Sequence, residues 1–581
     1  MLESSSSANL CDLLVIGSGA GGLSAAVTAA KLGLKVLVVE KDRQYGGTTA
    51  WSGGWMWIPR NPLAVAAGIT EDIDKPLAYL RHELGEKFDE PVLRAFLDNG
   101  PRMVDFFRAK TALQFIDGNG VPDFHGRTPD ASIGGRSVCA APFDGRRLGH
   151  RIDQLKPPLP ETTLWGMGIA SGAELRHFLN AMRAPASFWH VTKLVLRYGR
   201  DLALHRRGMR LVNGNALVAG LAASAFEAGV EIRTSSPARR LLTESFEGKS
   251  RVVGAVIGTA QGEVEIRARC GVVLACGGFP HDVARKKELL PHAPTGREHW
   301  SAASRGNTGD GLRLGEAAGG TVSTDLEQAA ALAPVSLVPR ADGSFVHFPH
   351  LVERAKPGLI AVTAAGRRFT NEADSYYDFI RDLIAATPQG QPVRACLVCD
   401  HAFIRHYGLG AVKPAPMPLA GMIRNGYLKR GKTLAELAQA CGIAASALQA
   451  TVQRYNQQAL QGKDSDFAKG EMPYNRVQGD AASGLPNPCM APLERGPFYA
   501  IKVVVGSLGT FAGLKVNASA QVLDDDGQPS KGLYAGGNDM SSVMGGHYPS
   551  GGITLGPAMT FGFIAAHHAA GADLATATAT A

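Results

Sequence analysis

Gly17-Ser18-Gly19-Ala20-Gly21-Gly22 sets small residues at G-x-G-x-x-G spacing, and an acid, Glu40, ends the next apolar run. Such a run binds a diphosphate. The first glycine, Gly17, permits a tight turn, Gly19 lets the pyrophosphate reach the backbone, and Gly22 lets helix and strand pack closely. Ala20 and Gly21 lie at the start of the helix that follows, whose free N–H groups and positive end face the phosphates. Glu40 suits ribose hydroxyls and disfavours a 2′-phosphate. A second cluster follows at once: Gly46-Gly47-Thr48-Thr49-Ala50-Trp51-Ser52-Gly53-Gly54. Its N–H groups and hydroxyls suit a longer, two-headed cofactor. The C-x-x-C of Cys396 and Cys399 has no second pair at zinc-ribbon spacing, so these read as buried strand cysteines and no metal is expected.

The diphosphate motif has chemical meaning only in its context. Asp12–Ile16 reads as a buried parallel strand, Gly21–Leu32 as a helix ended by Gly33, and Lys35–Glu40 as the next strand. That is a βαβ unit. Residues 72–112 and 173–228 read as helical, and 114–165 as loop-rich. Strands are expected at Val230–Thr234, Val252–Thr259, Glu263–Arg267, Cys270–Cys276 and Gly532–Ala535, and a closing helix from Thr554 to Ala569. Residues 326–494 break this rhythm with short strands and helices near 433–441 and 445–460. The expected organisation is a nucleotide-binding domain in two parts, 8–325 and 495–575, around an inserted domain at 326–494.

Composition narrows the class. The 581 residues are 45% hydrophobic and 19% charged, which is globular rather than disordered or coiled-coil. A net charge of +8 is small for this length, and no nucleic-acid module is visible, so no nucleic-acid partner is expected. Eight sparse cysteines in apolar runs read as reduced thiols, hence a cytoplasmic protein. The start of the chain lacks a basic stretch followed by an apolar one, so no secretory signal is read. No apolar run reaches a membrane-spanning length. The Ser-rich lead and the ATATATA tail are expected to be frayed.

Beyond the glycine motifs, Val272–Phe279 (VVLACGGF), Asn307–Gly311 (NTGDG) and Gly532–Asn538 (GLYAGGN) resemble, in order, stretches of the succinate dehydrogenase/fumarate reductase flavoprotein superfamily. The resemblance implies FAD and an α/β fold: a Rossmann-like FAD-binding domain split in sequence, with an inserted α+β catalytic domain. It adds Lys41, Ala238, Cys276, Gly277, Asp310, Gly537, Asn538 and Leu555 to the expected cofactor residues. No His lies between Glu40 and Gly54, so the FAD is expected to be non-covalent. Soluble fumarate reductases carry an Arg proton donor shortly after R-F-x-N-E; Tyr376 stands at that place here.

That departure fits another branch. GGTTAWSGGWMWIPRNP, GGRS (Gly134–Ser137), VMGGHYPSGG and LGPAMTFGF (Leu555–Phe563) resemble the 3-ketosteroid Δ1-dehydrogenases. In that family a Tyr, aided by a second Tyr, takes a proton from the carbon next to a ring ketone. Flavin N5 takes a hydride from the neighbouring carbon, and a third Tyr and a backbone N–H hold the ketone oxygen. Residue by residue, the resemblance assigns proton abstraction to Tyr376 and ketone binding to Tyr548 and the N–H of Gly552. The assisting Tyr falls at Phe124 or His125, of which only His125 could replace it as a hydrogen-bond partner; Ser550 could add a donor near the carbonyl. A phenol base with a free pKa of about 10 predicts an alkaline optimum.

The resemblance thus implies dehydrogenation of a hydrophobic cyclic ketone. A dehydrogenase of smaller cyclohexanone-type ketones, a reductase of activated double bonds and a non-catalytic flavin protein are the alternatives. With no second dinucleotide motif, an external, quinone-like electron acceptor is expected. Residues 188–210 mix aromatic, aliphatic and basic side chains, as in a helix lying on an anionic membrane; a helix with its apolar face inward and its basic face solvated shows the same mixture.

Overall fold

In the computed structural model, which describes residues 9–246 and 249–574, the first strand is Leu10–Ile16. The tail and most of the Ser-rich lead lie outside the described residues. Leu10–Ile16 pairs in parallel with Val36–Val39 on one side and with Gly262–Leu274 on the other. The helix between the first two strands, Ala20–Lys31, is buried along almost its whole length because it lies between the sheet and two further helices, Asn213–Glu227 and Leu555–Ala569. It has no polar face to offer, and its sequence, AGGLSAAVTAAK, is small and apolar all round.

The sheet runs in the order Gln521–Leu523, Pro529–Ala535, Lys249–Thr259, Gly262–Leu274, Leu10–Ile16, Val36–Val39 and Glu231–Arg233, with Ala238–Phe246 paired to Lys249–Thr259. The segments EVEIR and CGVVLAC, expected as two strands, form one. Its first half pairs antiparallel with Lys249–Thr259, where polar and apolar residues alternate; its second half, GVVL, is parallel to two strands and buried. A strand whose environment changes midway carries two periodicities, and so reads as two elements.

A second sheet is built on Phe498–Thr510. Ala330–Pro339, Arg394–Cys399, Trp300–Ser301 and Lys429–Gly431 pair with it, and Phe345–Pro349 and Leu359–Val362 lie outside them. Sheet membership thus runs from residue 300 to residue 510, across both expected boundaries, 325 and 494. Cys396 and Cys399 are buried in one of its strands, and among the described residues no three His, Cys, Asp or Glu side chains group as metal ligands. Two strands of the loop-rich stretch, Ser137–Ala140 and Phe115–Asp117, join Trp55–Trp57 in a small third sheet, which walls the space between the two larger ones.

Candidate active site

A cavity of about 1550 Å³ runs between the sheets. One end is the turn after Leu10–Ile16. Gly17 has φ +109°, and a Cβ there would stand 2.1 Å from the carbonyl oxygen of Ala275. A Cβ on Gly22 would meet the oxygen of Gly17 at the same distance, whereas one on Gly19 would touch only the Thr49 hydroxyl, at 3.5 Å. Every cofactor residue expected from the sequence lines this cavity except Gly22, which lies beneath it and lets the helix reach the turn. The cradle is cross-tied. Ser18 donates its N–H and hydroxyl to Glu40 at 3.1 and 2.6 Å, Lys41 pairs with Asp310, and the Thr49 hydroxyl accepts from Ala20 N–H at 3.0 Å. Asp539 was not singled out from the sequence. It is buried and accepts from the N–H groups of Cys276 and Gly278, fixing the turn after Gly262–Leu274 against the turn at Gly536–Asn538.

The other end of the cavity is aromatic. Tyr376 is the first residue of the helix Tyr376–Ala385, whose N-cap Ser375 accepts from Asp378 N–H. Its ring meets that of Tyr548 edge to face, 5.1 Å between centroids. Tyr548 sits in a loop held on both flanks: Tyr79 donates its hydroxyl to Pro549 at 2.7 Å, Phe124 its N–H to the same carbonyl, and Trp57 its N–H to Gly552. Gly552 has φ +97°, and a Cβ would stand 2.6 Å from Trp57 N. Among the described residues no acceptor takes the Gly552 N–H, which leaves it to the cavity. The helix Leu555–Ala569 begins three residues on, aiming its positive end the same way.

Electrostatics set these phenols apart. Burial and the neighbouring Tyr548 hydroxyl push Tyr376 well above its ordinary value, and burial pushes Tyr548 up to about 12. Arg354 works in the opposite direction on Tyr376. Its guanidinium is buried and pairs with no carboxylate among the described residues, donating instead to the carbonyls of His350, Glu372 and Asp374 at 3.1, 2.8 and 3.1 Å.

The segment at 124–125 is placed differently from expectation. Phe124 faces the cavity, 5.5 Å from the Tyr376 ring and stacked on Tyr548 at 5.7 Å. His125 does not line it. Both its nitrogens are engaged, Nδ1 with Glu83 and Nε2 with Asp378 at 2.9 Å, so His125 ties the Phe124 loop to the helix that bears Tyr376. Those carboxylates raise His125 to about 10 against the opposing effect of burial. Ser550 is likewise buried outside the cavity, on the side of Asp123. The residue missed from the sequence is Tyr474, in the short helix Pro473–Gln478. It is buried, lines the cavity, and packs 4.6 Å from Phe124. No motif marks it; only the folded chain brings it onto Phe124, whose ring also meets that of Tyr376.

A family model described as "FAD binding domain" matches residues 12–555. A 3-oxosteroid 1-dehydrogenase of Mycolicibacterium smegmatis is 34% identical over 568 residues, covering 96% of each chain. The solved 3-ketosteroid Δ1-dehydrogenase of Sterolibacterium denitrificans, in complex with 1,4-androstadiene-3,17-dione, superposes with a TM-score of 0.89 at 37% identity, over 97% of this chain and all of that one. This chain belongs to the 3-ketosteroid Δ1-dehydrogenase family. It is an FAD-dependent oxidoreductase of the class that acts on CH–CH groups. A 4-oxocyclohex-2-ene-1-carboxylate 5-dehydrogenase of Sinomonas cyclohexanicum is 38% identical over 554 residues, 95% of this chain and 92% of that one. A flavocytochrome c3 fumarate reductase, 21% identical with a TM-score of 0.62, shares the fold. The glycine cradle fits FAD: a Cβ on Gly17 would fill the turn, Gly19 lines the cavity with only the Thr49 hydroxyl against its Cβ position, and the cavity continues past the dinucleotide end to the tyrosines.

Proposed function

We propose that this dehydrogenase introduces a double bond beside the ketone of a 3-ketosteroid, between the α and β ring carbons. The observation that carries this is the pairing of Tyr376 and Tyr548 beside the open N–H of Gly552, at the end of the cofactor cavity. Bound FAD supplies the acceptor for the hydride that leaves the β carbon. Tyr548 and Gly552 donate to the ketone oxygen as negative charge develops on it, which makes the α proton removable. Tyr376 accepts that proton. Its burial disfavours the phenolate, so the step gains from higher pH, and Arg354 partly offsets the cost. Tyr474, beside Phe124, takes the assisting place that His125 leaves empty. The FAD is held without a covalent bond, since the segment from Lys41 to Gly54 carries no His.

Cyclohexanone carboxylates are a second substrate class, favoured by the 38% identity to the Sinomonas enzyme. The acceptor that reoxidises the cofactor is quinone-like. The protein docks on anionic lipid through the helix Pro185–His205, of which only Ser187 and Asp201 are buried. Trp189, Lys193, Arg200 and Leu204 share its outer face, with Trp189 61% and Leu204 68% exposed. An apolar face turned outward among cations suits a lipid surface better than solvent. No helix among the described residues is long and apolar enough to cross a membrane.

The test is anaerobic mixing of the yellow holoenzyme with 4-androstene-3,17-dione, following the flavin band at about 450 nm. Rapid bleaching with formation of the 1,4-diene supports the steroid substrate. No bleaching with the steroid, but bleaching with 4-oxocyclohexanecarboxylate, moves the substrate to the second class.

A further inference from the structure

A second cavity, of about 950 Å³, opens beside the first. The two share Trp51, Leu351, Lys356 and Tyr407 in their walls. The second is dominated by apolar side chains such as Met167, Phe178 and Val195, yet two ammonium groups stand in it. Lys356 is 8% exposed and donates from Nζ to the main-chain oxygens of Gln478 and Gly479 at 2.6 and 2.7 Å. No carboxylate among the described residues pairs with it. Asp480, the acid whose charge it feels most, instead accepts the Tyr407 hydroxyl at 2.6 Å. Lys413 likewise donates to a main-chain oxygen, that of Glu161, whose carboxylate pairs with Arg340. Burial lowers both lysines, Lys413 to about 8.

A buried cation, Lys356, and a half-buried one, Lys413, without directly bound counter-ions among the described residues are costly beside an apolar wall unless an anion completes them. An ammonium has three N–H donors, and carbonyls take two of those on Lys356. The location matters as well. Lys356 binds the last carbonyls of the helix Pro473–Gln478, whose other end carries Tyr474 next to the reacting tyrosines. One helical turn, about 6 Å, separates those ends. Lys356 thus stands where the two cavities meet, against the helix that carries Tyr474, so a substrate reaching from the first cavity into the second would pass it.

We infer that the substrate is a ring ketone bearing an apolar side chain that ends in a carboxylate. The ketone binds at Tyr548 and Gly552, and the carboxylate at Lys356, with Lys413 further along the chamber. This rests on the ring-ketone reading above and names the far end of the same substrate.

The test compares 3-oxochol-4-en-24-oic acid with its methyl ester on the holoenzyme, by anaerobic flavin reduction and by titrating the flavin spectrum. The pair shares ring and side chain and differs in charge. The acid should bind at least about tenfold more tightly than the ester, a clear margin on the affinity scale. Lys356→Met should bring the ratio close to one, Lys356→Arg should keep most of it, and Lys413→Met should lower it partly. Equal binding of acid and ester by the wild-type enzyme overturns the inference without any variant, and so does a ratio that survives Lys356→Met. If 4-androstene-3,17-dione bleaches the flavin while the acid shows no advantage, only the inference falls. If no ring ketone bleaches it, the ring-ketone reading falls with it.

Discussion

The two ends of the main cavity are built by different means. The cofactor end is largely backbone: a turn at Gly17 where no side chain fits, a helix N-terminus, and hydroxyls at Thr48 and Thr49 within one early stretch. The substrate end is side chains brought from four distant segments, Phe124, Tyr376, Tyr474 and Tyr548, onto one another. A backbone cradle tolerates little change and fails as a whole. A side-chain cluster can lose one hydroxyl and keep its shape. Damage at the first end should therefore remove the cofactor, and damage at the second should remove rate while the cofactor stays.

The largest effect is expected from Gly22→Val, whose side chain would be driven into the Gly17 carbonyl; the purified protein should carry no flavin absorbance. Tyr376→Phe should keep the yellow spectrum and lose about 10²–10⁴ in the rate of flavin reduction, the usual worth of a positioned base. Tyr548→Phe removes one of two donors to the developing oxyanion and should cost about 10²–10³, again with full flavin content. Tyr474→Phe should cost less, about tenfold, and should steepen the alkaline rise of the pH–rate profile if that phenol relays the proton from Tyr376. A full yellow spectrum in Gly22→Val, or flavin loss in the tyrosine variants, would erase the contrast between the two ends.

The smallest effect concerns stability. His125 is raised to about 10 in the folded chain by Glu83 and Asp378. Its contribution is complete below the unfolded value of about 6.5 and disappears as pH rises through the folded one. The melting temperature should fall between these limits, and His125→Gln should flatten that fall while leaving the flavin in place. A melting curve equally pH-dependent in both proteins would deny His125 this role. The alkaline pH that favours Tyr376 as a base is thus also where the tie between the Phe124 loop and the Tyr376 helix weakens.

The contrast also explains what the sequence revealed. Gly17 to Gly54 holds its own context, strand, turn, helix and acid, so the cofactor end was legible from spacing and local chemistry. Tyr376 and Tyr548 were legible through their resemblance to a family, because the residues flanking them form recognisable stretches. Tyr474 was not, since EMPYNR carries no motif and its place in the site depends on a ring contact with Phe124, 350 residues away in the chain. His125 misled because a sequence shows that a ring can hydrogen-bond, not that Glu83 and Asp378 already occupy both nitrogens. The strand Phe498–Thr510 hid its membership of the second sheet for a related reason: its pairing partners lie far along the chain, from 67 residues (Gly431–Phe498) to 206 (Trp300–Gly506). The outward apolar face of Pro185–His205 was undecidable from composition, because either face of such a helix can be turned to the core.

The account turns on Tyr376 as the group that takes the α proton. The most direct measurement is the anaerobic single-turnover rate of flavin reduction by 4-androstene-3,17-dione, compared between wild type and Tyr376→Phe at equal flavin content and across the alkaline range. The account predicts a wild-type rate that climbs with pH and a variant rate at least about 10² lower with no such climb. A variant that reduces its flavin at the wild-type rate, with the wild-type pH profile, would contradict it.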